Sequence, residues 1–203
     1  MKLDVPYHAS KKDTDCGPLA LKMVLGFFGE QHEFAELSHL ERQLDTSLVW
    51  SAGIARAAIK LGFTSTFITK TVQESIPDNE CYDTYALDDA RAILQQLTFE
   101  IKKAGVEIRQ LDLSLAELLG SVNEDSIPIV LVNWNVIRGK KGFSGHFLPI
   151  TGYDEQQVYV HNPGLDMAAS HLPIDKVLFL KAWETKGTDK DVVIIYRKRS
   201  LTE

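Results

Sequence analysis

The sequence contains little cysteine, which limits the kinds of protein it can encode. Only two cysteines, Cys16 and Cys81, occur in its 203 residues. A disulfide framework in a domain of this size needs more, so that class is excluded. The sequence also lacks a group of cysteine, histidine and carboxylate residues at the spacing of metal ligands. The best candidates, His161 and His171, are ten residues apart. We therefore expect neither a metal nor a cofactor.

Long apolar runs and an excess of positive charge are also missing. No stretch approaches the roughly 20 apolar residues of a membrane span, and the segment from Met1 to Pro6 lacks the apolar core of a signal peptide. We expect a cytoplasmic protein without a membrane span; export without a cleaved signal is the alternative. The net charge of −6 and the pI of about 5.5 argue against a nucleic-acid partner, since phosphate binding needs a basic face.

The composition that remains is that of a globular domain, with 44% apolar and 25% charged residues. Helical periodicity dominates the first part of the chain. Strand patterns dominate the last part, interrupted by one helix near 174–183, and they cover 127–134, 146–153, 157–161 and 192–197. This order predicts an α+β fold with a helical N-terminal part packed on a C-terminal antiparallel sheet. We expect one domain over 1–203; if the polar loop at 70–85 is a boundary, it opens a small helical insertion over about 70–110.

Cys16 lies where a helix is predicted to begin. The motif Cys16-Gly17-Pro18 has proline in a first turn, apolar residues then recur at helical spacing, and Gly29 ends the segment. A helix N-terminus carries partial positive charge and free N–H groups, which stabilise a thiolate, the nucleophilic form of cysteine. We therefore expect a lowered thiol pKa and selective alkylation of Cys16 over Cys81 in mild acid. The alternative interpretation is a small buried apolar residue.

His146 is the histidine best placed to act as a base for such a nucleophile. It follows Ser144-Gly145 and opens an apolar strand, so it is held at the end of a sheet against which the helix is expected to pack. His32 and His39 belong to a polar helix face instead. The alternative interpretation is a histidine that merely begins a strand.

Asn162 is the predicted orienter of that base. The strands 146–153 and 157–161 form a hairpin if the chain turns at Asp154, and His146 and Asn162 then lie side by side at one end of it. An asparagine carbonyl oxygen accepts an imidazole N–H. The alternative interpretation is that Asn162 only begins a turn sequence with Pro163 and Gly164.

Together these motifs resemble the papain-like cysteine peptidases related to the bacteriocin-processing (double-glycine leader) peptidases. The first matching group is Leu3-Asp4-Val5-Pro6-Tyr7, Asp15-Cys16-Gly17-Pro18-Leu19-Ala20-Leu21-Lys22-Met23-Val24 and Phe27-Phe28-Gly29. The second is Gly145-His146-Phe147, Thr151-Gly152-Tyr153 and Val158-Tyr159-Val160-His161-Asn162-Pro163-Gly164. The two groups cover roughly a third of the chain, at its two ends; the middle, about 30–125, matches only in its helical character.

The resemblance implies a papain-like fold in a stand-alone form, with no transporter segment. It also implies a thiol mechanism in which Cys16 attacks a carbonyl, His146 moves the proton and Asn162 orients His146. That family usually has aspartate at the position of Asn162, whereas papain has asparagine. It also places a glutamine six residues before the cysteine, where this chain has Ser10. The oxyanion hole would then use the Cys16 N–H with Ser10 or Lys11, a weaker arrangement that predicts slow or selective turnover.

Three functions stay open at this point. The first is hydrolysis of a peptide or isopeptide bond in a peptide or protein substrate. The second is acyl transfer from the same thiol to an amine. The third is a catalytically weak module that binds a peptide without cutting it, which the loss of the glutamine favours and the retention of Cys16, His146 and Asn162 opposes. Cys81, in a polar acidic loop, is interpreted as non-catalytic. The oligomeric state is left open.

Overall fold

The structure is a computed structural model that describes residues 1–10, 12–41, 49–71, 87–164 and 166–198, without the side chains of 13 and 87–91. In these ranges the helices, after a 3₁₀ turn at Asp13–Asp15, are α1 Cys16–Phe27, α2 Phe34–Glu41, α3 Ser51–Lys60, α4 Leu87–Lys103, α5 Leu115–Gly120, α6 Trp134–Ile137 and α7 Lys176–Trp183. The strands are β1 Thr64–Thr69, β2 Glu107–Gln110, β3 Ser126–Asn133, β4 Gly145–Tyr153, β5 Gln157–Asn162, β6 Ala169–Asp175 and β7 Val192–Tyr196. The architecture is α+β, as the sequence predicts.

The strands form a seven-stranded sheet in the order β2-β1-β7-β3-β4-β5-β6 within the described ranges. Only β1 and β2 pair in parallel; the other neighbours are antiparallel. Helix α1 packs on β4, α3 on β1 and β7, and α7 on β3. Strand β3 lies inside the sheet and is contacted by helices α1 and α7, and nearly all of its side chains are buried. None of the helices in the described part of the chain is long and apolar enough to cross a bilayer.

Several local predictions are confirmed. Helix α1 begins at Cys16, and Gly29, with φ of +92°, follows its end in the left-handed conformation that glycine accepts without strain. The spacing of Ser114 and Glu117 in the sequence predicts a capping box, and this capping box is present at the start of α5. The sequence predicts a second helix over 33–44. It is observed as α2, Phe34–Glu41, and residues 42–44 lie outside the described part of the chain. Most of the loop at 70–85 also lies outside the described residues.

One strand is missing from the sequence-based prediction. We expected a helix from about Ile174, whereas β6 occupies Ala169–Asp175 and α7 begins only at Lys176. The helix begins there because Asp175 caps it, its carboxylate accepting the backbone N–H groups of Val177 and Leu178.

The N-terminal segment runs along β4 and β5 and so reaches the end of the sheet where His146 lies. Its first residues pair with the end of β4, through a bridge between Lys2 and Gly152. A Cβ on Gly152 would stand 2.3 Å from the Met1 carbonyl oxygen, so only glycine permits this approach. Further along, the Ser10 N–H donates to the Pro163 carbonyl at 2.6 Å. The segment therefore ends beside the turn that follows β5.

Candidate active site

Cys16 is the first residue of α1, and its thiol faces the beginning of β4. The thiol accepts hydrogen bonds from the backbone N–H groups of Phe147, Gly17 and Cys16 itself, all of which lower the pKa of the thiol. The contact with Phe147 is informative because Phe147 directly follows His146 in the chain. The structure thus brings the predicted nucleophile to the backbone of the predicted base.

Burial is the larger influence on this thiol. It raises the pKa of Cys16 above the ordinary value, the negative charge of Asp15 raises it further, and the three backbone N–H groups offset only part of the shift. The expectation of a lowered pKa is therefore wrong in its net direction, although its cause, the N–H groups at the helix N-terminus, is present. The resting group is a neutral thiol, which needs a base before it becomes nucleophilic.

His146 is the second residue of β4 and is only 7% exposed. It pairs with Val132 of β3, and its ring lies against the indole of Trp134, with the ring centroids 5.1 Å apart. Strand pairing fixes the backbone of His146, and the indole of Trp134 packs against its imidazole ring. The position predicted for it, at the mouth of the strand, is the one observed.

Asn162, the last residue of β5, is fully buried and bonded to His146, with the imidazole Nε2 2.8 Å from the amide Oδ1. Three further contacts fix which amide atom is oxygen. The Gly164 N–H donates to Oδ1 at 2.9 Å, whereas Nδ2 donates to the carbonyls of Asp166 and Met167, both at 2.9 Å. Since Oδ1 can only accept, Nε2 of His146 carries the proton, and in the neutral ring Nδ1 is the basic nitrogen.

Strands β4 and β5 form the predicted hairpin. They pair in antiparallel register, and the chain turns at Asp154 between them. The two aspartates nearest in sequence do not take the place of Asn162. Asp154 accepts hydrogen bonds from Tyr159 and from the turn backbone, which hold its pKa near 2, and Asp166 pairs with Arg138.

Ser10 lies beside the site, but its hydroxyl is engaged locally. Its Oγ accepts the Lys12 N–H at 2.9 Å and donates to the Lys12 carbonyl, and it lies 3.3 Å from a carboxylate oxygen of Asp15. The structure thus places Ser10 between the turn after β5 and the residue before Cys16. Lys11, the other predicted oxyanion donor, lies outside the described residues, as does Cys81.

The two histidines considered as metal ligands have structural contacts instead. His161 is fully buried; its Nε2 donates to the Val5 carbonyl at 2.8 Å and its Nδ1 accepts the His171 N–H at 3.0 Å. Burial lowers the pKa of His161 to about 4, so the ring stays neutral. His171 contacts the Thr151 hydroxyl at 2.9 Å. In the ranges that the structure describes, no three histidine, cysteine or carboxylate side chains group as a metal site would require.

Sequence reasoning missed two residues that support the site. Tyr7 donates its hydroxyl to the Asn162 carbonyl at 2.9 Å and packs edge-on against His161. Gly164 lies so close that a Cβ there would meet Asn162 Oδ1 at 3.0 Å and His146 Cε1 at 3.1 Å. The run His161-Asn162-Pro163-Gly164 contained the signal for the glycine, because a tight turn directly after the predicted orienter leaves little room for a side chain.

Three solved structures share this fold over nearly the whole chain. The peptidase domain of Streptococcus ComA, a bifunctional ABC transporter of a quorum-sensing pathway, is 16% identical, with 94% of this chain and 97% of that chain covered and a TM-score of 0.52. A double-glycine-motif protease from an AMS/PCAT transporter, solved with its leader peptide, is 12% identical, with coverages of 97% and 94% and a TM-score of 0.57. A Bacillus anthracis protein described as a C39-like peptidase is 15% identical, with coverages of 98% and 99% and a TM-score of 0.60.

At these identities the likeness shows the fold alone, which is the papain-like fold of the C39 peptidases that the sequence resemblance predicts. Family membership comes from a different comparison, in which a sequence-family profile described as guanylylate cyclase matches residues 5–195. That match covers most of the chain and includes Cys16, His146 and Asn162. The chain therefore belongs to the family described as guanylylate cyclase.

Proposed function

We propose that the chain is a thiol hydrolase that cleaves peptide or isopeptide bonds, with Cys16 as nucleophile, His146 as base and Asn162 as orienter, in a single domain over 1–203. The observation that carries the proposal is the hydrogen bond from His146 Nε2 to Asn162 Oδ1. It leaves Nδ1 as the proton acceptor in a ring whose backbone adjoins the thiol through Phe147.

The reaction follows from these positions. His146 Nδ1 takes the proton of the Cys16 thiol as sulfur attacks the substrate carbonyl, and the positive imidazolium forms beside the tetrahedral adduct. The oxyanion that develops accepts the N–H of Cys16. Ser10 of the N-terminal segment is the candidate second donor, and a weak one, because its hydroxyl already donates to the Lys12 carbonyl. His146 then returns the proton to the departing amine. Water, activated by the same nitrogen, releases the acyl group from sulfur.

The neutral resting thiol fits general-base catalysis. Because burial raises the pKa of Cys16, proton transfer to His146 has to accompany attack on the substrate rather than precede it. A peptide substrate is supported by the fold neighbour that was solved with its leader peptide. If an amine enters in place of water, the same acyl-enzyme gives acyl transfer.

A library of defined peptides, analysed by mass spectrometry for new termini, tests the proposal. Wild-type protein and a Cys81→Ala variant, which keeps Cys16, should both cleave. Cys16→Ala and His146→Ala should not. Cleavage that survives Cys16→Ala would contradict a thiol mechanism.

Binding of the same peptides by wild type and Cys16→Ala with equal affinity, and cleavage by neither, would instead support the peptide-binding module. Added hydroxylamine converts an acyl-enzyme into a hydroxamate and so reveals the intermediate that hydrolysis and acyl transfer share.

The family's description supports a second candidate, a nucleotide cyclase. In that reaction the ribose 3′-oxygen attacks the α-phosphorus of GTP, pyrophosphate leaves, and a base takes the hydroxyl proton. The test is incubation with GTP and Mg²⁺ or Mn²⁺, followed by measurement of cyclic GMP and pyrophosphate in equal amounts. A cyclase does not need the thiol, so Cys16→Ala should retain this activity while it removes peptide cleavage. The two functions are thereby separated in one variant.

A further inference from the structure

Two loops enclose the proposed catalytic histidine at the end of the sheet. The first, here called the β3–β4 connection, covers 134–144 and contains α6. The second, here called the β5–β6 turn, covers 163–168, of which 165 lies outside the described residues. Trp134 of the connection contacts the His146 ring, and the turn backbone holds the Asn162 amide.

The orientation of Asn162 depends on where the β5–β6 turn lies. Three of the four hydrogen bonds made by the Asn162 amide end on turn backbone, and the fourth ends on His146. A displacement of the turn therefore moves the acceptors of Nδ2 and the donor to Oδ1 together. The amide then rotates or shifts away from the imidazole Nε2.

Arg138 links the two loops. Its Nη1 lies 2.8 Å from the Asp166 carboxylate across the site, and its Nη2 donates to Asn135 Oδ1 at 2.5 Å in its own loop. The hydrogen bond from Arg138, assisted by its charge, lowers the pKa of Asp166. Asn135 is held in turn by Asn133, whose Oδ1 accepts the Asn135 N–H. A continuous set of contacts thus runs from the end of β3 to the turn that carries the acceptors of Asn162.

The energetics indicate a local role for this ion pair. The side chains of Arg138 and Asp166 are 20% and 50% exposed. An ion pair so open to solvent contributes roughly 1 kcal/mol or less to global stability. Its effect on the reaction rate is larger when the pair holds a reacting group in place, because a misplacement of about 1 Å in such a group costs roughly a hundredfold in rate.

We propose that Arg138 is a positioning residue that acts through Asp166 and the β5–β6 turn on Asn162, and thereby sets the tautomer and orientation of His146. This inference rests on the thiol mechanism proposed above. Without Arg138, the turn loses its link to the β3–β4 connection, and the imidazole Nδ1 is presented to Cys16 for a smaller fraction of the time. The fold stays intact.

The experiment compares Arg138→Gln with a matched control, Arg109→Gln. Arg109 makes an ion pair of the same 2.8 Å length with Glu107, at the other edge of the sheet on β2. The rate of Cys16 carbamidomethylation by iodoacetamide is measured against pH by mass spectrometry, and the His146 tautomer by ¹⁵N NMR. We expect Arg138→Gln to lower the rate by roughly tenfold to a hundredfold and to mix the tautomers. Arg109→Gln should match wild type, and the melting temperatures should be nearly equal.

Four further variants sharpen the test. Asp166→Asn keeps the turn carbonyl and removes only the charge, so it should reproduce the effect of Arg138→Gln, and the double variant should be no worse than either single one. Arg138→Lys keeps the charge and should restore part of the rate.

A His146→Ala variant separates the thiol mechanism from the positioning role of Arg138. If it reacts like wild type, the thiol mechanism itself fails; if it is slow while Arg138→Gln and Asp166→Asn match wild type, only the positioning role fails.

Discussion

The Nε2 atom of His146 lies 2.8 Å from Oδ1 of Asn162, and both side chains are buried. This pair directs the basic nitrogen of the ring away from the asparagine. It also explains why an amide is suited to this position, because Asn162 accepts from two N–H groups with its oxygen and donates to two carbonyls with its nitrogen. A carboxylate has no hydrogen to donate to those carbonyls.

Removal of the Asn162 amide should therefore impair the site more than it impairs the fold. In Asn162→Ala, His146 is free to adopt either tautomer, and we expect turnover to fall by roughly tenfold to ten-thousandfold, the upper figure being the loss found when a triad histidine takes the wrong tautomer. Asn162→Asp should also fall, because the Asp166 and Met167 carbonyls then face a carboxylate. Asn123→Ala, in an exposed turn before β3, is the control. Equal rates for Asn162→Ala and wild type would remove Asn162 from the mechanism.

The parts of this arrangement that depend on local sequence were predictable. Proline in the first turn and apolar spacing placed the start of α1 at Cys16, and a polar turn at Asp154 between two alternating segments gave the hairpin that brings His146 to Asn162. Both rest on contacts between residues close in the chain, which are visible as patterns in the sequence.

The parts that depend on distant contacts were not predictable. The raised pKa of Cys16 comes from burial under elements far along the chain, whereas the sequence reveals only the helix N-terminus that lowers it. Strand β6 was missed because its exposed and half-buried side chains alternate weakly and His171 adopts a positive φ of 47° within it. The approach of Met1 to Gly152 is likewise a contact between opposite ends of the sequence.

A methyl group at Gly164 should disturb the site without unfolding the protein. The Cβ of Gly164→Ala would meet Asn162 Oδ1 at 3.0 Å and the His146 ring at 3.1 and 3.2 Å, so either the turn or the ring has to move by a few tenths of an ångström. We expect lower peptide cleavage and slower alkylation of Cys16. Gly120→Ala, at the end of α5 with nothing within 4 Å of its Cβ, should match wild type in both assays. A fully active Gly164→Ala would show that the site tolerates this displacement.

A buried carboxyl outside the site should make stability depend on pH. Burial raises the pKa of Asp191 to about 7, although the hydroxyls of Ser51 and Thr69 lower it in part. In the unfolded chain the same carboxyl ionises near its ordinary value of about 3.9. Between these two values the folded state holds a proton that the unfolded state has lost, so stability falls as pH rises from about 4 to about 7.

Asp191→Asn removes this dependence, because an amide does not ionise. Its free energy of unfolding, measured by urea titration, should exceed that of wild type increasingly up to about pH 7 and then level off, with a difference of up to about 4 kcal/mol as an upper bound. Asp125→Asn, whose parent side chain is 85% exposed, is the control and should leave the pH dependence unchanged. A constant difference between Asp191→Asn and wild type from pH 5 to pH 8 would contradict a protonated Asp191.

The last prediction concerns Ser10 and the second donor of the oxyanion hole. An oxyanion on the attacked carbonyl needs two donors at about 3 Å, and loss of one can cost roughly a hundredfold to a thousandfold in rate. The Ser10 hydroxyl donates its hydrogen to the Lys12 carbonyl and also contacts Asp15, so it is a poor donor to a substrate in this arrangement.

A glutamine side chain is longer than serine, and its amide has two hydrogens to donate. We expect Ser10→Gln to raise turnover of a peptide ester and Ser10→Ala to change it little. Ala9→Gln, which places the same side chain on the exposed neighbouring residue, should have no effect and serves as the control. If Ser10→Ala instead abolishes turnover while Ser10→Gln leaves it unchanged, the serine hydroxyl is itself the donor, and the hole is not weakened by the missing glutamine.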